Sequence, residues 1–406
     1  MSTTKIKVLF FAEGATLSHV ARPFVLAQNL DPKRFEVMLA RPTSYAWLTK
    51  DAGFEVIDLE CQDHTVFSNR LSRGLTPYDF GTLQRYVDTD LELMAAKQPD
   101  IVVGDFRLSL SVSARLCKVP YFTICDAYWN PERTWSAPLP AFGFTHYVPI
   151  PIMEILFKAI SPLILRIHAK PLETLRKSFG LPSLGYDLRR CFTDADFQLY
   201  PNFPALFPDI KTSSRADFIG PVIWSPHNRN DVDFLNDRKL LVYVTMGSSG
   251  DTSILRFLLP VLKKLDVNVL IASAGKELPI DASSNNIRCF DFLPGDQICQ
   301  HAALVICNGG SPTTNQALMH GVPVLGIAQN FDQLLNMQDI TRFGAGLMLR
   351  ADRPVISILR DSVEALLHDN RYAERAHALA RSIENFRPET NFEHHVRHFL
   401  RSTEEV

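Results

Sequence analysis

The chain has 406 residues, 46% apolar and 21% charged, and its 42 basic side chains stand against 44 acidic ones for a net charge of -2. That length favours two or three domains, each able to bury its own core, and the near-neutral balance supplies no basic footprint for a nucleic-acid partner. Seven scattered cysteines without a Cys-x-x-Cys spacing point to free thiols in a reducing cytoplasm.

At the N-terminus, Lys5-Ile-Lys-Val-Leu-Phe-Phe-Ala12 is apolar, but the run is short and Glu13 ends it. It reads as a first core strand and not as a signal peptide. Strand patterns fall over 8–11, 36–40, 55–57, 101–103 and 121–124, with helical patterns over 20–29, 82–97 and 109–117. The stretch 147–167 is apolar but carries Glu154, Lys158 and Arg166, with Pro149, Pro151 and Pro162, a poor candidate for a bilayer span. A polar, proline-bearing segment over 220–231 reads as a linker. A second strand series follows over 240–245, 268–272, 287–290, 303–307 and 323–326. This alternation marks open parallel sheets with helices on both faces. The expected division is an α/β domain over 1–222, a linker over 223–237, a second α/β domain over 238–385 and a terminal helical stretch over 386–406.

The tract from His301 to Gln333 is the most informative. The strand over 303–307 runs into a glycine turn and then a helix, with Ser311 expected at the N-cap, Pro312 at the first helical position and Thr314 in the first turn. Such a turn directs unpaired backbone N–H groups and a positive dipole end at whatever lies in front of it, a seat for phosphate. The strand over 323–326 is followed by Asp332-Gln333, expected in a loop on the same sheet edge. A diphosphate at the first turn and a polyol held by Asp and Gln at the second describe a nucleotide sugar.

Asn308-Gly309-Gly310, Thr313-Thr314, Gly321-Val322-Pro323 and Asp332-Gln333 resemble, in order and spacing, the donor-binding signature of family 1 glycosyltransferases, inverting enzymes with the GT-B fold. The resemblance implies two Rossmann-like domains whose parallel sheets face one another across a cleft, an acceptor half first and a nucleotide-sugar half second. The terminal helix would cross back onto the first domain. Gly247-Ser248-Ser249 is similar to the family's glycine–serine loop, whose amides approach the phosphates. Phe292 stands where an aromatic residue stacks on the base, although a core phenylalanine is the alternative. Two positions depart from the pattern. The usual histidine is Asn308, which can donate hydrogen bonds but carries no charge, and the acid that grips the ribose hydroxyls is Gln316. An amide there favours a 2′-deoxyribose donor, dTDP-linked, slightly over a UDP-linked one.

Transfer to a hydroxyl needs a base, and histidine, steadied by a carboxylate, suits the task. His19 follows the first strand and the loop over 13–18, at the kind of carboxyl-terminal edge where ligands gather. Ser18-His19-Val20 resembles the family's Gly-His-Val, which carries the base. Asp105, ending the strand over 101–105, stands where the family places the partner acid. Asp126, ending the next strand, is the rival, and either acid could instead hold an acceptor hydroxyl. The segment 127–168, with Tyr128, Trp129, Trp135, Phe142 and Phe144, suits the lining for an apolar hydroxylated acceptor or simply packs the domain. Its amphipathic part leads to a further expectation of peripheral membrane contact.

The string Asp194-Ala-Asp196 resembles a metal-binding Asp-x-Asp, but GT-B enzymes of this type act without a metal. The expectation is therefore no metal and no cofactor beyond the nucleotide-sugar co-substrate. A nucleotide-sugar epimerase of the same fold would need several acids around the sugar and no acceptor pocket. A non-catalytic partner protein would be consistent with Asn308 and Gln316 but not with His19, Asp105 and Asp332-Gln333.

Overall fold

A computed structural model describes residues 5–134, 136–226, 238–247, 250–278 and 284–404. Two parallel sheets organise it. The first contains β1 (Ile6–Ala12), β2 (Phe35–Arg41), β3 (Glu55–Asp58), β4 (Ile101–Asp105), β5 (Tyr121–Ile124), β6 (Phe197–Tyr200) and β7 (Ala216–Phe218), in the order β3-β2-β1-β4-β5-β6-β7. The second contains β8 (Leu240–Thr245), β9 (Val267–Ala272), β10 (Ile287–Phe290), β11 (Ala302–Cys307), β12 (Val324–Ala328) and β13 (Gly346–Arg350), in the order β10-β9-β8-β11-β12-β13. Helices cover both faces, which is why central strands such as Val8 to Ala12 are fully buried and read as unbroken apolar runs. The sequence reading omitted β7 and β13, short edge strands with little pattern of their own.

Strand order decides where the chemistry gathers. The chain leaves β1 outward to β2 and β3, then returns to β4 on the other side of β1, with Ala12 opposite Asp105. The second sheet reverses in the same way at β8 and β11, with Thr245 opposite Cys307. Such reversals open a crevice beyond the strand ends, the usual ligand position in open α/β sheets.

The long helix Ile150–Ser178 takes up the end of the segment 127–168 that the sequence suggests as an acceptor lining. It contains Pro162 and Pro171. Each removes one backbone donor, a cost outweighed here by the burial of Phe157, Leu172 and Leu175. The last helix, Pro388–Glu404, returns to the first domain, where Phe392 meets Phe10 at 5.6 Å between ring centroids and Phe399 meets Phe122 at 5.2 Å. The halves are tied by the buried fork of Arg133 on Asp339, two bonds of 2.9 Å, and by Asn315 Nδ2 donating to the Pro201 carbonyl at 3.0 Å. Residues 227–237 of the expected linker, and Trp135, lie outside the described residues. Among the described residues no helix is long and apolar enough to cross a membrane.

Candidate active site

A cleft of about 1050 Å³ is lined by loops following strands of both sheets. On the first-domain side, the helix Leu17–Gln28 starts directly after the loop that follows β1, so His19 lies in its first turn. His19 Nδ1 is 2.7 Å from Asp105 Oδ1. Contact with a carboxylate makes Nδ1 the protonated nitrogen and leaves Nε2 with its lone pair. The ring stacks on Phe106, 4.8 Å between centroids, and Phe106 itself has a φ of 60°, a left-handed conformation uncommon for a bulky residue.

Between the two acids that competed as partner, geometry selects Asp105. Asp126 faces Arg22, which no sequence signal identified. Arg22 donates from Nε to Asp105 Oδ2 at 2.7 Å and from Nη2 to Asp105 Oδ1 at 2.8 Å. Its Nη1 reaches Asp126 Oδ2 at 2.9 Å, and Asn202 Nδ2 donates to Asp126 Oδ1 at 3.1 Å. The spacing of His19 and Arg22 on one helix turn was the available clue, since residues three apart share a face. Burial alone would raise the Asp105 carboxyl, but the Arg22 charge and His19 outweigh it and hold Asp105 below the usual aspartate value. The Arg22 guanidinium is correspondingly held well above its ordinary value: burial works against its charge, and Asp105 and Asp126 prevail.

On the opposite wall, Asn308-Gly309-Gly310 turns the chain out of β11. Gly309 has a φ of 80°, and a Cβ there would lie 2.6 Å from Met337 Cγ, so glycine is required on both counts. The helix Ser311–Met319 has Gly310 at its N-cap and no side-chain cap bond. Ser311, expected as the cap, is instead the first helical residue. Among the described residues no side chain caps these first-turn amides, the arrangement from which helix ends bind anions. Asn336, absent from the sequence reading, braces the turn by donating to the Gly309 carbonyl at 2.8 Å and to Thr314 Oγ1 at 2.9 Å. Thr314 is therefore buried and turned away from the cleft, whereas Ser311, Thr313 and Asn308 line it. Gly247 lines it too, and Ser248 and Ser249 lie outside the described residues. Among the described lining residues, His19, Arg22 and His168 are the basic side chains.

Gln316 lines the cleft against Gly295, where a Cβ would come 2.5 Å from Gln316 Oε1. Phe292, 43% exposed, stands at the rim with Trp47 at 6.5 Å, and Trp224 lies 5.6 Å from Trp47. Neither tryptophan was singled out from sequence. Asp332 and Gln333, expected in a loop, occupy the first turn of the helix Phe331–Phe343. Gln333 Oε1 accepts from the Gln329 and Asn330 amides, completing a capping box, while its Nε2 is buried with no partner among the described residues. Trp129 Nε1 crosses the cleft to donate to Asp332 Oδ1 at 3.0 Å. Burial and the neighbouring Asp126 charge push the Asp332 carboxyl up.

Of the expected acceptor-side residues, Asp126, Trp129, Phe142 and Phe144 line the cleft, and Phe142 and Phe144 stack at 5.6 Å. Tyr128 is fully buried and does not line it; its ring lies 6.3 Å from that of Trp129, near the Asp126 and Asp332 carboxylates. Met153, Phe157 and Ile164 of the long helix extend the apolar wall. Asp194 pairs with Arg115 at 2.9 Å and Arg176 at 2.8 Å, and Asp196 accepts from the Tyr121 amide at 2.9 Å. Both aspartates serve structural contacts away from the cleft.

A histidine backed by a carboxylate thus faces an uncapped helix end across a cleft with an apolar extension. Residues 256–389 match the family described as erythromycin biosynthesis protein CIII-like, C-terminal domain. The chain is 38% identical over 406 residues to a PGL/p-HBAD biosynthesis rhamnosyltransferase of Mycobacterium bovis, covering 99% of this chain and 89% of that protein. Its fold is similar to spinosyn forosaminyltransferase, with a TM-score of 0.70 and 19% identity over 98% of this chain and 100% of that one. It is also similar to a Streptomyces sp. SF2575 glycosyltransferase complexed with thymidine diphosphate, with a TM-score of 0.68 and 16% identity over 99% of this chain and 100% of that one. The chain belongs to the family 1-like glycosyltransferases of GT-B fold.

Proposed function

We propose that the protein transfers a 6-deoxyhexose of the rhamnose type from a dTDP-linked donor to a hydroxyl of an apolar acceptor, with inversion and without a metal ion. The observation that carries this reading is the 2.7 Å pairing of His19 with Asp105 opposite the uncapped helix at Gly310. His19 Nε2 takes the acceptor proton as the hydroxyl oxygen bonds to the anomeric carbon. The bond from that carbon to the diphosphate oxygen breaks with its electron pair going to the diphosphate. Attack from the face opposite the leaving group inverts the centre. Asp105 stabilises the imidazolium that forms, and the helix end with its loop amides meets the charge on the departing diphosphate.

Asp332 and Gln333 Nε2, which has no partner among the described residues, are suited to the sugar hydroxyls, and Gln316 to a ribose with one hydroxyl fewer. The rhamnosyltransferase name of the Mycobacterium bovis relative and the thymidine diphosphate of the structural neighbour support the donor assignment. The wall of Phe142, Phe144, Met153 and Phe157 supports an acceptor with a large apolar body, for which an epimerase would have no use.

The test is direct. The protein is incubated with dTDP-rhamnose and a phenolic acceptor, and the anomeric configuration of the glycoside is read by NMR. A product of configuration opposite to the donor is expected. Retention, or alteration of the nucleotide sugar without an acceptor, overturns the proposal.

A further inference from the structure

The helix Ile150–Ser178 carries apolar residues on two sides. Met153, Phe157, Ile164 and Leu165 line the cleft. On the solvent side, Ile152 is 58% exposed, Ile155 70%, Leu156 52% and Leu163 63%, with spacings that gather them on one stripe. Single exposed apolar residues are ordinary, but a contiguous stripe marks a contact surface. Ile160 and Ile167 belong to both sides, lining the cleft while about half-exposed, so the stripe runs into the cleft wall without a polar break. Tyr147, 87% exposed, stands just before the helix. A second hollow, lined by Pro149, Ile150 and Pro151 with Val355 and Ile358, carries the apolar surface onto the other domain.

Charge separates the occupants of such a face. Lys158, Arg166, Lys170 and Lys177 are exposed on this helix. Its two acids are the half-buried Glu154 and the buried Glu173, although the whole chain has a net charge of -2. A two-fold contact between copies would bring these cations toward their own kind, whereas an anionic bilayer attracts them. Apolar residues flanked by lysine and arginine, with an aromatic ring at the boundary, are the composition of helices that lie in the plane of the headgroups.

We infer that the solvent face of the helix Ile150–Ser178 docks onto an anionic lipid bilayer, setting the mouth of the cleft against the membrane. An acceptor with a hydrocarbon body then enters past Ile160 and Ile167 without crossing water; this last step, unlike the docking, rests on the transfer reading.

Cosedimentation with phosphatidylcholine vesicles, with and without phosphatidylglycerol, tests the docking and requires no donor, acceptor or turnover. Binding to the phosphatidylglycerol vesicles is expected, weaker at high salt. In the Ile155→Glu, Leu163→Glu double variant it should fall by about tenfold or more. Both positions lie outside the cleft lining, so thermal melting and transfer to a water-soluble phenol should be unchanged. Equal binding of wild type and variant, or binding of neither, overturns the inference. So does a lipid-free dimer dissolved by the same substitutions, seen by sedimentation velocity. If transfer fails while vesicle binding responds as expected, the transfer reading falls and the docking stands.

Discussion

Replacing Arg22 tests both the stability and the chemistry of the site. Arg22 is 5% exposed and bonds at 2.7, 2.8 and 2.9 Å to Asp105 and Asp126, which are themselves 0% and 8% exposed. In Arg22→Met both carboxylates remain buried without their cation, and breaking a buried pair from one side costs about 3–5 kcal/mol. The sign with pH follows from Asp105, whose folded-state value is depressed below 3.8. Its stabilising contribution is fully present above the unfolded aspartate range and is lost as pH falls through the folded value. The gap in unfolding free energy between wild type and variant should therefore be full at neutral pH and close toward acid. Urea titration at several pH values measures it. Turnover should fall with donor KM little changed, because Arg22 acts through Asp105. Arg22→Lys should restore the charge but not the forked bonds, recovering only part of the stability. A Met variant as stable as wild type at neutral pH, with unchanged turnover, would refute the reasoning.

His19→Ala should reduce turnover by about 10²-fold or more with donor affinity nearly unchanged by calorimetry; a wild-type rate removes His19 as the base. Asp105→Asn should also slow turnover and combine non-additively with His19→Ala, as members of one unit do, and simple additivity would make Asp105 a separate contact. Activity should survive exhaustive EDTA treatment, and loss with rescue by Mg²⁺ or Mn²⁺ would contradict metal-free transfer. Wild type should bind dTDP at least as well as UDP, and Gln316→Glu should shift preference toward UDP by roughly 1 kcal/mol. A strong UDP preference unaltered by that substitution would show that Gln316 does not read the ribose.

Much of the site was legible because it is local. The glycine turn after β11 needs the positive φ of Gly309, and a strand running into glycine, proline and threonine announces a helix end from a few adjacent residues. The Asp332-Gln333 pair was visible, but its setting in a capping box was not. The box depends on Asn330, three residues before Gln333, and that spacing lay inside what had been taken for a loop. The long helix Ile150–Ser178 was obscured by Pro162 and Pro171, which break the pattern by which helices are recognised without breaking this one.

The sequence by itself determined the alternation of strand and helix, the two α/β halves and the glycine turn after β11, since each follows from side-chain period and backbone freedom within a short window. Only the tertiary structure decided which acid faces His19. Asp105 lies 86 residues from His19 and Asp126 a further 21 along the chain, the first closing β4 and the second standing two residues beyond β5. The order β1-β4-β5 puts the strand carrying Asp105 next to the one leading to His19, and Arg22 takes the second acid. Which threonine meets the cleft, where Trp129 finds Asp332 and which side of the long helix stays exposed were fixed in the same way. All depend on elements brought together by sheet order and packing across long stretches of chain, which no local pattern encodes.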